Sequence, residues 1–216
     1  MHSANDLSVR NCWATAERQG LRDAIFLGKL QHYFRPGPIL ELGAATGHLS
    51  SILRDQGREA IASDISPKFL QAIAERGLPS AFVDATRDIA AQTGRRFPNI
   101  LAQNVLPLIR RNAEVLSRTL RQIHDGLEPE GRFICISAFA WRQPNPQAFF
   151  SPREQFRITQ ASKLFDVIAH FPHQTLPPGL YRAWNADLLN FIDHKLARIA
   201  SVRWVWVMEK RPGRPL

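Results

Sequence analysis

The sequence predicts an α/β domain, an open and mostly parallel sheet with helices on both faces. Three observations carry that reading. Residues 38–50, Pro-Ile-Leu-Glu-Leu-Gly-Ala-Ala-Thr-Gly-His-Leu-Ser, read as a buried strand, a turn of small residues and the start of a helix. Acidic residues stand at the ends of three successive apolar segments, as Glu41, Asp64 and Asp84. The chain closes on Val-Arg-Trp-Val-Trp-Val-Met at 202–208, a run of β-branched and aromatic residues that suits a strand.

Composition bounds the function classes. A chain of 216 residues accommodates one domain with a full core. Its 44% hydrophobic and 22% charged content is that of a globular protein rather than a disordered one. No internal repeat and no apolar run of about 20 residues is present, so no membrane span is expected. Residues 1–10 lack the hydrophobic core of a secretory signal, and a cytoplasmic location is expected. Cys12 and Cys135 lie in unrelated contexts and read as free thiols, with no support for a disulfide or a metal site. The net charge is +9, but the 28 Lys and Arg residues are scattered, with nothing denser than Arg95-Arg96, Arg110-Arg111 and the tail at 210–214. Such spacing is that of a solvated surface, which leaves nucleic-acid binding open without favouring it.

Taken in order, residues 5–34 read as helical, with Leu27, Leu30 and Phe34 on one face and Gly20 and Gly28 as points of division. The strand at 39–42 and the glycine turn lead into a helix over about 46–54, whose unpaired N–H groups favour acceptor groups in front of them. A second strand at 59–63 ends at Asp64, and Pro67 opens a helix through residue 76. A third strand at 80–83 ends at Asp84, ahead of a helix at 86–92. A fourth strand begins near Phe97 and leaves Asn104 at its carboxyl end, and a helix follows at 112–124. Residues 125–131 form a turn-rich connection to a fifth strand at 132–138. Residues 164–171 fit both helical and strand periods and are assigned as strand, and 184–198 read as helix. Asp64 follows Gly43 by 21 residues, the place where a nucleotide-binding sheet sets an acid on a ribose diol. Helix capping is the alternative role for both Asp64 and Asp84.

Glu41-Leu-Gly43-Ala-Ala45-Thr-Gly47 resembles the first motif of class I S-adenosylmethionine-dependent methyltransferases, acid-x-Gly-x-Gly-x-Gly, with Ala45 where the middle glycine usually stands. A dinucleotide fingerprint, Gly-x-Gly-x-x-Gly, fits this spacing poorly. The resemblance covers residues 37–139. It implies a Rossmann-like, seven-stranded, mostly parallel sheet with an antiparallel last strand and an N-terminal helical cap. It divides one domain, 1–216, into the cap (1–36), a cofactor-binding core (37–139), a substrate-side lid (140–200) and the last strand (201–210). S-adenosylmethionine would be the cofactor. The resemblance implies that Glu41, Gly43, Ala45 and Gly47 form the first contact, that Asp64 with Ile65 holds the ribose, that Asp84 and Ala85 hold the adenine, and that the Asn104 segment receives the methionine ammonium.

The activity so implied is methyl transfer to an oxygen or nitrogen of a small molecule. The cofactor carries the reactivity, so the protein has mainly to align the groups and remove a proton. Candidates for the base are His32, Tyr33 and His173, with His170 as a further histidine. Arg18, Arg22, His32 and Tyr33 of the cap are the residues within reach of the cleft if the cap crosses it. The long segment after the fifth strand carries Trp141, Phe149, Phe150, Tyr181 and Trp184, which are expected to line an aromatic or apolar acceptor site; the alternative is that they complete the core. The Asn/Asp-Pro-Pro-aromatic motif of many base-methylating enzymes is missing after Gln103. An RNA or protein methyltransferase and a non-catalytic cofactor-binding regulator are the alternative functions. The sequence gives no sign of oligomeric state.

Overall fold

Alternation along the strands decides which helices cover which face. In a computed structural model that describes residues 20, 23–109, 112–138, 163–173 and 203–212, seven strands form one sheet in the order β3-β2-β1-β4-β5-β7-β6. They are β1 (Ile39–Leu42), β2 (Ala60–Asp64), β3 (Ser80–Phe82), β4 (Phe97–Gln103), β5 (Leu127–Ala138), β6 (Phe165–His173) and β7 (Arg203–Lys210). All pairs from β3 to β5 are parallel, and β7 runs antiparallel between β5 and β6. The Rossmann-like sheet with an antiparallel last strand is therefore present.

On β5, Phe133 and Cys135 enter one buried cluster and Ile134 and Ile136 the other. The same alternation sends Trp206 and Met208 of β7 one way and Val205 and Val207 the other, as the two-residue period of a strand requires. The first cluster is closed by α4 (Ile89–Thr93), α5 (Val105–Ile109) and α6 (Ala113–Gly126) through Ile89, Leu106, Leu116, Leu120 and Ile123. The second is closed by α1 (residues 23–30) through Phe26, Leu27 and Leu30, and by α2 (His48–Asp55) through Leu49, Ile52 and Leu53. A smaller cluster, Ala44, Ala62 and Ile73, seats α3 (Pro67–Glu75) beside the glycine turn.

Three elements depart from the expected pattern. The helix expected at 86–92 begins at Ile89, because Asp88 supplies the cap by accepting from the Ala91 N–H at 2.9 Å. The short helix α5 was not expected, since Val-Leu-Pro-Leu-Ile is too brief to show a helical period. The connection expected at 125–131 is divided between the end of α6, at Gly126, and β5, whose register on β4 jumps from Phe97↔Leu127 to Asn99↔Arg132, with Glu130 left-handed at φ 56. Residues 164–171 resolve as strand, β6. The helix expected at 184–198 and the greater part of the 140–200 segment lie outside the described residues. No helix among the described residues is long and apolar enough to cross a membrane.

Candidate functional site

β1 runs into a turn whose backbone is left-handed at Gly43 (φ 63), Ala45 (φ 50) and Gly47 (φ 73). A Cβ on Gly43 would lie 2.6 Å from Val105 Cγ2, and one on Gly47 would lie 2.8 Å from Leu78 Cδ1. Both positions therefore favour glycine for conformation and for room. The turn is fastened to the end of β2. Ala44 N–H donates to the Ser63 carbonyl at 2.8 Å, and Ala45 N–H donates to Asp64 Oδ2 at 3.0 Å. Arg76 Nη1 holds the far side, donating to the Thr46 carbonyl at 2.9 Å.

The three acids differ in their surroundings. Glu41 is buried, and its Oε2 accepts from Ser50 N–H at 2.9 Å and Ser50 Oγ–H at 2.6 Å. It thereby satisfies a first-turn N–H of α2. Burial pushes its carboxyl up to about 7 against those Ser50 bonds, and the nearby Asp64 adds to the rise. Asp64 accepts from Ala45 N–H on one oxygen and from Ser66 N–H, at 2.9 Å, on the other. Asp84 Oδ1 accepts from the Thr86 N–H and hydroxyl at 2.9 and 2.7 Å. Burial alone would raise Asp84, but the Thr86 bonds and the guanidiniums of Arg87 and Arg118 outweigh it and hold the carboxyl below its ordinary value. Turn-capping and cleft-facing roles coincide at both aspartates.

The carboxyl ends of the parallel strands surround a cavity of about 690 Å³. β1 and its turn supply Glu41, Gly43 and Ala45, and the ends of β2 and β3 supply Asp64, Ile65, Asp84 and Ala85. Asn104 follows β4 in the left-handed conformation (φ 58) that asparagine tolerates, and it lines the same space. Gly47 stands behind the wall, where it lets α2 approach Leu78 and Ile73.

The expected bases fare differently. Tyr33 stacks on Phe171 at 5.8 Å, and its carbonyl receives Arg132 Nη1 at 2.8 Å. His32 is exposed and lies 4.0 Å from the Tyr33 ring. Arg132 opens the inner part of β5, and the next residues, Phe34 and Arg35, pack on Ile39 and bond Asn99, so His32 and Tyr33 sit at the amino ends of the strands, away from the cavity. The cap does not bring them to the cleft, because the apolar face of α1 fixes it along the sheet. His170 stacks on Trp206 and Trp204 at 3.8 and 4.3 Å and is not part of the cavity wall. His173 pairs in backbone register with Arg203, a wall residue, and its side chain lies outside the described set. Arg18, Arg22, Trp141, Phe149, Phe150, Tyr181 and Trp184 also lie outside it.

Three wall residues with ionisable side chains, Asp23, His48 and Arg203, were not singled out from the sequence. Asp23 of α1, 2% exposed, meets His48 at the start of α2, with Oδ2 and Nε2 3.1 Å apart. His48 directly follows Gly47, so its place in the first turn of the glycine helix was a readable signal. Asp23 gave none within a helical run. Arg203, at the start of β7, lines the same cavity.

A family model described as a methyltransferase domain matches residues 40–133. No curated protein matches the chain in sequence. Among solved structures, the CcbJ methyltransferase from Streptomyces caelestis is 16% identical, with 90% of this chain and 96% of that one covered at a TM-score of 0.63. A TehB-like S-adenosylmethionine-dependent methyltransferase from Corynebacterium glutamicum is 13% identical over 95% of this chain and 100% of that one, with a TM-score of 0.65. The glycopeptide N-methyltransferase MtfA, solved with S-adenosylmethionine, is 18% identical over 89% and 94%, with a TM-score of 0.60. These similarities are those of a shared fold. The matched segment spans the glycine turn and all three acids, so this part of the chain is similar to a methyltransferase domain, and the solved structures share its fold.

Proposed function

We propose that the chain transfers a methyl group from S-adenosylmethionine to an oxygen or nitrogen of a small-molecule acceptor, aromatic or apolar in character. The observation that carries this reading is the charge of the cavity. The carboxylates Asp23, Asp64 and Asp84, together with the buried Glu41, whose carboxyl is raised to about 7, line it with Arg203 as the one guanidinium among the described wall residues, in a protein whose net charge is +9. A cleft so reversed in sign suits a ligand bearing cationic groups and hydroxyl and amine donors. When bound, the cofactor supplies an electrophilic methyl group on a sulfonium.

In this reading Asp64 accepts the ribose hydroxyls with the lone pairs left over from Ala45 and Ser66, beside the Ile65 side chain. Asp84 and the Ala85 backbone take the adenine edge. The glycine turn removes side chains where the cofactor runs closest, and the backbone at Asn104 receives the ammonium. Val105, Leu108 and Ile109 make the wall on that side apolar. A volume of about 690 Å³ falls in the range of small-molecule sites. The acceptor side is assigned to the lid, 140–200, with Trp141, Phe149, Phe150, Tyr181 and Trp184. MtfA, named as a glycopeptide N-methyltransferase, supports an acceptor other than nucleic acid.

Calorimetric titration with S-adenosylhomocysteine tests the reading. The intact protein is expected to bind it, and Asp64→Ala to lose about tenfold or more in affinity, as removal of a charged hydrogen-bond partner would. Absence of binding, or equal binding by the variant, would refute it. The net charge of +9 leaves one further reading, an RNA acceptor, which steeply salt-dependent RNA binding would support.

A further inference from the structure

We infer that His48 is the proton acceptor of the methyl-transfer step and that Asp23 is its positioning residue, so that the acceptor is a molecule bearing an N–H or O–H proton at the reacting atom. This rests on the methyl-transfer reading. It is carried by a pair that the cofactor-binding residues do not require. Asp23 comes from α1 and His48 from the first turn of α2, and both face the cavity beside the glycine turn.

The chemistry of the contact orients the imidazole. Oδ2 of Asp23 lies 3.1 Å from Nε2 of His48. A carboxylate has no proton to give, so Nε2 donates and Nδ1 is left with its lone pair. Among the described residues no hydrogen bond engages Nδ1, and the His48 side chain is 19% exposed against 3% for Asp23. The buried acid therefore holds the ring of a side chain that lines the cavity. This is the arrangement in which a carboxylate fixes a histidine tautomer and stabilises the imidazolium formed on proton uptake. Neither His32 nor Tyr33, at the other end of the strands, reaches this space.

A lone pair of the acceptor forms the bond to the methyl carbon, the carbon–sulfur pair returns to sulfur, and the acceptor's proton passes to Nδ1 of His48. The positive charge thus moves from sulfur to the imidazolium, where Asp23 neutralises it. The proton later leaves to solvent. The other ionisable groups on the cavity wall are Glu41 from β1, Asp64 after β2, Asp84 after β3 and Arg203 at the start of β7.

The test reads the histidine itself. Imidazole nitrogen and carbon NMR signals of the intact protein are followed against pH with S-adenosylhomocysteine and with S-adenosylmethionine, and His48 is assigned by through-bond correlation or by its loss in His48→Gln. Two results are expected. The neutral ring carries its proton on Nε2, and the His48 midpoint lies lower with the sulfonium than with the thioether by about half a pH unit or more, as a like charge nearby requires. Asp23→Asn is expected to lower the midpoint with either ligand. A proton on Nδ1, or the same midpoint with both ligands, would overturn the assignment and leave a pair that only ties α1 to α2. Failure to bind either ligand would instead refute the methyl-transfer reading.

Discussion

Ala45 carries a measurable cost. A left-handed backbone at a non-glycine residue costs roughly 1–2 kcal/mol, and Ala45 sits at φ 50 with its N–H committed to Asp64. Ala45→Gly releases that strain, less about 0.4–1 kcal/mol for the greater freedom of glycine in the unfolded chain. The expected outcome is a melting temperature higher by about 2–4 °C. An unchanged or lower midpoint would show that the turn is unstrained. Glu41 makes a second prediction. Its carboxyl is raised from 4.5 to about 7 in the fold, so between those values the native state keeps a proton that the unfolded state has lost. Stability from this group is complete below the lower value, falls as pH rises through the interval and is flat above it. At about 1.4 kcal/mol per pH unit the loss is of the order of 3 kcal/mol. Urea unfolding of the wild type and Glu41→Gln at pH 5 and pH 7.5 should show the difference between them changing by that order; parallel pH dependences would contradict the burial argument.

At the scale of elements, the glycine turn and α5 are interlocked. The missing side chain of Gly43 is the space that Val105 occupies, since a Cβ there would come within 2.6 Å of Val105 Cγ2. Gly43→Ala meets both the clash and the positive φ, and a loss of about 2 kcal/mol or more is expected. Val105→Ala removes the clash and leaves the strain. Chemical denaturation should therefore show that Gly43→Ala costs less in the Val105→Ala background than in the wild type. An equal cost in both would mean that conformation alone demands the glycine. The same contact explains why α5 belongs to the site: it presses the segment after Asn104 onto the turn, so the two loops of the cleft share one position.

For the whole molecule, the sheet separates two cores, and this sets how their losses combine. Ile123 of α6 and Ile134 of β5 are both fully buried, on opposite faces. Ile→Val at each should cost about 0.5–1.5 kcal/mol. Sites without shared partners add to within about 0.5 kcal/mol, so the double variant should lose the sum in one cooperative transition. Two resolved transitions in denaturation would show that the faces unfold separately.

The succession of strands along the chain, the glycine turn and the acids Glu41, Asp64 and Asp84 were legible because each depends on neighbours within a few residues. An apolar run bounded by glycine, or an acid closing a strand, announces itself locally. Asn104 was legible for the same reason, at the end of an apolar strand. What tertiary structure decided involves contacts over long sequence separation. The face of α1 that docks on the sheet carries Asp23 to His48, 25 residues on, and leaves His32 and Tyr33 at the far end of the strands. The five-residue α5 takes its place from Leu106 packing rather than from any period of its own. The run at 125–131 reads as a turn by composition, yet from Leu127 on it joins β5, because the adjoining β4 offers a backbone ladder on both sides of the bulge. Burial made the final distinction among three similar acids: it raises Glu41 to about 7, whereas local hydrogen bonds and arginines hold Asp84 down. No single-residue pattern encodes that difference, because desolvation is a property of everything packed around the group.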